Sequence, residues 1–163
     1  MPHCRSVACL ALAMAEAAEA NGHAVDCDRI AAGALLHDLG RSITQDIRHA
    51  SLGAELLRRE GWDEAVVRIV ERHTGGGIDA AEAVRLGLPA KDYTPVTLEE
   101  RIVCHADNLY SADRRLTLEQ VEAKYRTKNL PEAWSKIQRL HDSLSADLAV
   151  NLERLAPIHL DLA

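Results

Sequence analysis

The run Ile30-Ala31-Ala32-Gly33-Ala34-Leu35-Leu36-His37-Asp38-Leu39-Gly40 decides how this chain is read. An apolar helix that delivers an imidazole and a carboxylate side by side at its end turns two polar groups toward a core. An uncompensated buried carboxylate is costly, and a cation held jointly by His37 and Asp38 compensates it. Ile30, Ala34, His37 and Asp38 share nearly one helical face, so the apolar stripe leads directly into the two candidate ligands. Outward from this stretch, His3, His49, His73 and Asp107 each continue or border an apolar stripe on a separate predicted helix, as ligands drawn from different elements must.

The punctuation around these residues is helical throughout. A first helix is expected from His3 to Ala20, closed by Asn21-Gly22, and a second begins at Asp26 and ends in His37-Asp38-Leu39-Gly40. A polar loop from Arg41 to Arg48 leads to a third, headed by His49 and stopped at Gly61. Asp63 caps a fourth, which carries Val66, Ile69, Val70 and His73 up to Gly75-Gly76-Gly77, a run that either flexes over a ligand or ends the helix. A short helix near Asp79 to Leu86 follows. Thr97-Leu98-Glu99-Glu100 reads as a capping box opening a fifth long helix, whose inner face is Val103, Ala106, Asp107 and Tyr110. Thr117-Leu118-Glu119-Gln120 is a second capping box, and Pro131 opens a last helix through Trp134, Ile137, Leu140, Leu144 and Leu148. The expectation is an all-α bundle in one domain over 1–163, with a motif-bearing core at 3–113 and covering helices over 117–156.

Composition agrees. Hydrophobic residues make up 47% of the 163 positions, aromatic residues only 3% and Phe none, so the core is Ala, Leu, Val and Ile, suited to packed helices rather than a β-sandwich. A formal charge of -6 argues against nucleic acid as a partner, and no basic tract is interleaved with aromatics. Cys4, Cys9, Cys27 and Cys104 form no C-x-x-C pair and read as reduced thiols. The Ala-rich first helix is interrupted by Glu16, Glu19 and Asn21, so neither a leader nor a membrane span fits, and a cytoplasmic location is expected.

Imidazole and carboxylate donors without cysteine suit Fe, Mn, Co, Ni or Zn. With one ion on His3, His37, Asp38 and Asp107, the second oxygen of Asp38 can bridge to another on His49 and His73. Such a pair would make hydroxide from a shared water near neutral pH and clamp an in-line displacement at phosphorus. Plainer structural readings stand beside this. His37 and Asp38 can form a helix-terminal hydrogen-bonding pair, His49 can simply begin a helix and His73 end one against its dipole, and Arg48 is a solvated loop residue. His23, His105, His141 and His159 fall outside the ordered set and read as surface residues, and the charges around Arg114 to Arg126 as a solvated face.

The order His3, His37-Asp38, His49, His73, Asp107, with His37-Asp38-Leu39-Gly40-Arg41 and His49-Ala50-Ser51-Leu52-Gly53-Ala54, resembles the HD superfamily of metal-dependent phosphohydrolases, in its His-Asp-Ile-Gly branch. The resemblance implies a principal metal on His3, His37, Asp38 and Asp107, extra ligands at His49 and His73, and a phosphate contact for Arg41. Two departures matter. Members that cleave cyclic dinucleotides carry a Gly-Tyr-Pro motif or a double histidine where this chain has Arg72-His73-Thr74-Gly75. His3 stands where relatives have a further helix in front, so a start upstream of Met1 is one expectation. The resulting expectation is a phosphoric ester hydrolase acting on a nucleotide or other small phosphate ester through metal-activated hydroxide, with Asp38 and Arg41 catalytic. Its alternatives are a metal-stabilised regulatory or RNA-associated binding module with little turnover and, third, a di-iron oxygenase.

Overall fold

The computed structural model describes residues 2–158, which leaves His159 outside the described part. It is helical in the expected order. Helix α1 covers Pro2–Ala20, α2 Cys27–Leu36, α3 His49–Arg59, α4 Glu64–Glu71, α5 Ala80–Arg85, α6 Leu98–Asn108, α7 Leu118–Thr127 and α8 Pro131–Leu148. No helix among the described residues is long and apolar enough to cross a membrane.

Helix α1 is the axis. Val7, Ala8, Leu10, Ala11, Met14, Ala15 and Ala18 have no exposure, so it is buried nearly all round. Its repeated alanines let Ile30 and Ala34 of α2, Ile102, Val103 and Ala106 of α6 and Ile137 and Leu144 of α8 close on it in one core. A smaller cluster of Ala54, Leu57, Val67 and Val70 joins α3 to α4. Asp26, Asp63, Asp79, Thr97 and Thr117 each cap a helix by accepting a bond from a first-turn amide.

Five details differ from the sequence reading. Helix α2 ends at Leu36, and His37 and Asp38 form the turn into a 3-10 segment, Leu39–Ser42. Gly40 makes that turn possible, because a Cβ there would collide with the carbonyl oxygen of His49. Only the second capping box closes, through Gln120. Glu100 accepts from the amide of Val96 rather than that of Thr97, and its buried carboxylate also holds Arg68 and Arg72. A two-residue antiparallel hairpin, β1 (Tyr110–Ser111) with β2 (Arg114–Arg115), follows α6 where no strand is expected. Helix α8 stops at Leu148 on a left-handed Ala149, short of residue 156. Finally, His105 and His141 are buried rather than superficial and bond to each other at 3.0 Å, whereas His23 is exposed.

Candidate metal centre

All six candidate ligands arrive at one place. His3 comes from the first turn of α1, His37 and Asp38 from the turn after α2, His49 from the start of α3, His73 from just past α4 and Asp107 from α6. Three overlapping groups, His3-His37-Asp38, His37-His73-Asp107 and Asp38-His49-His73, each place their donor atoms within 4.8 Å of one another.

The rings are pre-set by backbone bonds. The Nδ1 atoms of His37, His49 and His73 each lie 2.7 to 2.8 Å from the carbonyl three residues earlier, on Ala34, Asp46 and Val70. His3 reaches the carbonyl of Ala112 in the hairpin at 2.6 Å. A carbonyl only accepts, so every Nδ1 carries a hydrogen, and in the neutral ring it is Nε2 that offers its lone pair to the interior. These lone pairs face one another, with 3.0 Å between His49 and His73 and 3.3 Å between His3 and His37. Two acceptors at such distances need a proton or a cation between them. Burial, joined by the charge of His37, pushes the His73 pKa down to about 3, and burial also lowers that of His49. Near neutral pH a proton is therefore disfavoured at that pair, and a divalent metal fits the donor set better.

The carboxylates divide the centre. Asp38 turns Oδ2 toward His37 and His3, at 3.7 and 3.9 Å, and Oδ1 toward His49 and His73, at 3.4 and 3.9 Å. That is the disposition a bridging carboxylate requires. Asp107 lies 3.0 Å from His3 and 3.4 Å from His37. Its bond to His3 raises that ring's pKa, and its charge raises that of His37 against the opposing effect of burial. Burial works against the Asp107 carboxylate, but the His37 charge and the His3 bond hold its pKa well below the ordinary range.

The Nε of Arg41 donates to Asp38 Oδ1 at 2.6 Å and its Nη1 to the Gln45 carbonyl at 3.4 Å, while the guanidinium also lines the cavity, so it positions a candidate ligand at the cavity wall. Arg48 pairs with Asp46 in the loop. The glycine run is packed, since a Cβ on Gly76 would strike the backbone of Lys136 and Ile137, and the Gly75 carbonyl accepts from Cys104 Sγ at 2.9 Å. The centre opens into a cavity of about 690 Å³, lined also by Ile47, Ile78, Leu86, Lys124, Tyr125, Lys128 and Leu130. The carbonyl of Ala112 and the inward lysine on α7 are what the sequence reading missed, because both depend on how the hairpin and α7 fold back over the site.

The HD domain family matches residues 2–112, a span that contains all six converging side chains. This chain belongs to the HD-domain family. The HD domain of the L. monocytogenes phosphodiesterase PgpH shares the fold at a TM-score of 0.52 and 19% identity, with 90% of each chain covered. More similar sequences carry a different name. A tRNA (cytidine(56)-2'-O)-methyltransferase of Picrophilus torridus is 56% identical over 124 residues, which are 75% of this HD chain and 36% of that protein. Its namesake in Thermoplasma volcanium is 48% identical over 153 residues, covering 94% and 44%. Protein MJ0778 of Methanocaldococcus jannaschii is 46% identical over 138 residues, covering 85% and 81%. The HD chain thus spans less than half the length of the two methyltransferases it matches.

These relatives correct the functional expectation. Two proteins that share about half of this chain's residues over the matched span are named for methyl transfer to tRNA, not for hydrolysis of nucleotides or other phosphate esters, and the phosphoric ester hydrolase reading does not stand. The expectation that nucleic acid is an unlikely partner, argued from net charge, is not supported either. Net charge averages over the whole surface, whereas a partner meets one face of it.

Proposed function

We propose that this HD domain is a metal-stabilised, RNA-associated module that binds tRNA in the setting of tRNA modification and has little turnover of its own. The observation that carries this reading is the 48 to 56% identity to tRNA-modifying proteins, against 19% to a phosphodiesterase domain that shares the fold. A fold supplies a scaffold, and the partner is set by the surface built on it.

In this reading His3, His37, Asp38 and Asp107 hold one divalent ion, and His49 and His73 a second that shares Asp38. A bound metal would supply positive charge where four Nε2 atoms and two carboxylates converge, and these residues would then tie α1, α3, α4 and α6 to the turn after α2. Arg41 positions Asp38 by fixing the oxygen on the His49 side. The cavity beside this centre is within the size range that accepts a nucleotide. The methyl transfer named for the longer relatives belongs to proteins more than twice this length, and this module contributes RNA binding to such a reaction.

The test is binding of an unmodified tRNA transcript, followed by fluorescence anisotropy at several salt concentrations with the protein metal-loaded. Saturable binding that is stronger for tRNA than for a DNA duplex of equal length, and that weakens with salt, is expected. Equal or absent binding to both at low salt overturns the reading.

A further inference from the structure

One stretch of the cavity lining comes from α7 and the loop into α8, and it brings Lys124, Tyr125, Lys128 and Leu130 to the same space as His3, Asp38 and Asp107. Lys124 is half-buried and Lys128 exposed at the rim, and among the described residues neither amine has a carboxylate within ion-pair distance or a side-chain hydrogen bond. Other inward bases of this protein are engaged. Lys136 carries Asp79 and Glu82, Arg41 carries Asp38, and Arg115 donates to the carbonyls of Leu152 and Leu155. An ammonium withdrawn from water without an anion is costly, so an unpaired one on a cavity wall is a place prepared for an anion from outside.

The chemistry narrows that anion. Lys124 lies in the last turn of α7 and Lys128, four residues on, is its C-cap with helical dihedrals, which sets the two side chains on one face, and two adjacent ammonium groups suit the non-bridging oxygens of a phosphate. The same cavity offers Leu86 and Leu130, 44% and 46% exposed, as apolar surface for a base. Burial and the Lys128 charge lower the pKa of Lys124, while Asp107 opposes them. We propose that Lys124 and Lys128 are the phosphate ligands of this cavity, taking a phosphodiester of an RNA strand whose neighbouring nucleotide lies toward the histidine cluster. This rests on the RNA-binding reading above.

The test compares the metal-loaded wild type with Lys124→Gln, Lys128→Gln, the double variant and Lys124→Arg, using the unmodified tRNA transcript and, separately, cytidine 5'-monophosphate. Thermal melting and metal content serve as controls for folding. Each glutamine variant should lower the slope of log affinity against log salt by about one, and the double variant by about two. The double variant should weaken tRNA binding on the order of tenfold at low salt, with Lys124→Arg restoring most of the loss at its position. Unchanged tRNA affinity and slope in the double variant overturn the lysine site and leave the RNA reading standing. Lysine-dependent binding of the mononucleotide without any tRNA binding supports the phosphate site and overturns the RNA reading. Binding of neither probe by the wild type overturns both.

Discussion

At the scale of single residues, the centre is made by four rings whose outward nitrogen is already occupied. Three of them use the same local device, a ring folded back onto the carbonyl three residues earlier at a helix end, which is why His37, His49 and His73 sit at or beside helix boundaries rather than within helices. Their position at the ends of apolar stripes was legible in the sequence, although the same position also suits a histidine that only ends or begins a helix. The tautomer that exposes Nε2 was not, since it depends on which carbonyl each ring meets. Arg41 shows the same limit. Its place after Gly40 suggests a phosphate contact, and what the sequence does not show is that its Nε also binds Asp38 Oδ1. Replacing His37 or Asp38 with Ala should therefore abolish metal retention in elemental analysis of the purified protein. Arg41→Ala should leave the fold intact and weaken metal affinity about 10- to 100-fold, the usual effect of removing a group that orients a ligand. Wild-type metal affinity in the Arg41 variant, measured by competition with a chromogenic chelator, would remove the positioning role.

At the scale of elements, helix boundaries were readable from caps, and what joins the helices was not. Glu71 on α4 carries no signal in the sequence and Glu100 on α6 reads only as part of a capping box, yet they are 4% and 1% exposed. Glu71 accepts from Arg58 of α3 and from Lys91, and Glu100 from Arg68 and Arg72 of α4. Only the three-dimensional pairing of α3 with α4 and of α4 with α6 brings those partners together. Burial opposes ionisation of Glu71, but the bonds from Arg58 and Lys91 prevail and hold its pKa below the ordinary value. Its contribution to stability is thus complete above the unfolded-state pKa of about 4.3 and is lost as pH falls through the lower folded value. Melting temperature should fall below roughly pH 4.5, and less steeply in Glu71→Gln than in the wild type. Parallel curves for the two proteins would show that this pair does not govern the acid limb. The glycine of the His-Asp motif also acts between elements. Gly40 and Gly53 let the 3-10 turn and α3 touch through their backbones, and Gly40→Ala would force the two apart beside His49. Overpacking of this kind costs about 1 to 3 kcal/mol, and here it should also lower metal occupancy, which a surface change of equal stability cost would leave alone.

At the scale of the whole molecule, the six candidate ligands tie together segments from residue 3 to residue 107, and this span makes metal a tether across most of the fold. The all-α architecture was legible because composition, periodicity and capping agree, and the ligand set was legible through its order along the chain. The partner was not. The motif residues describe the chemistry of one buried centre, whereas Lys124 became part of the cavity only because α7 turns that face inward, and the -6 net charge concealed it. Stability offers a separate test of the tether. An ion that binds the folded chain and not the unfolded one stabilises by RT ln(1 + [L]/Kd), about 4 kcal/mol when free metal is a thousandfold above Kd. For a chain of this size each kcal/mol moves the melting temperature by roughly 2 to 4 °C, so removing metal with a chelator should lower it by on the order of 10 °C. Restoring Mn or Zn should recover the transition, and His3→Ala should show a smaller metal-dependent gain than the wild type, because His3 is the tie between α1 and Asp107 of α6. Calorimetry of the stripped and reloaded protein decides this. Identical transitions with and without metal would mean that the histidine cluster is held by protein packing and protons rather than by metal.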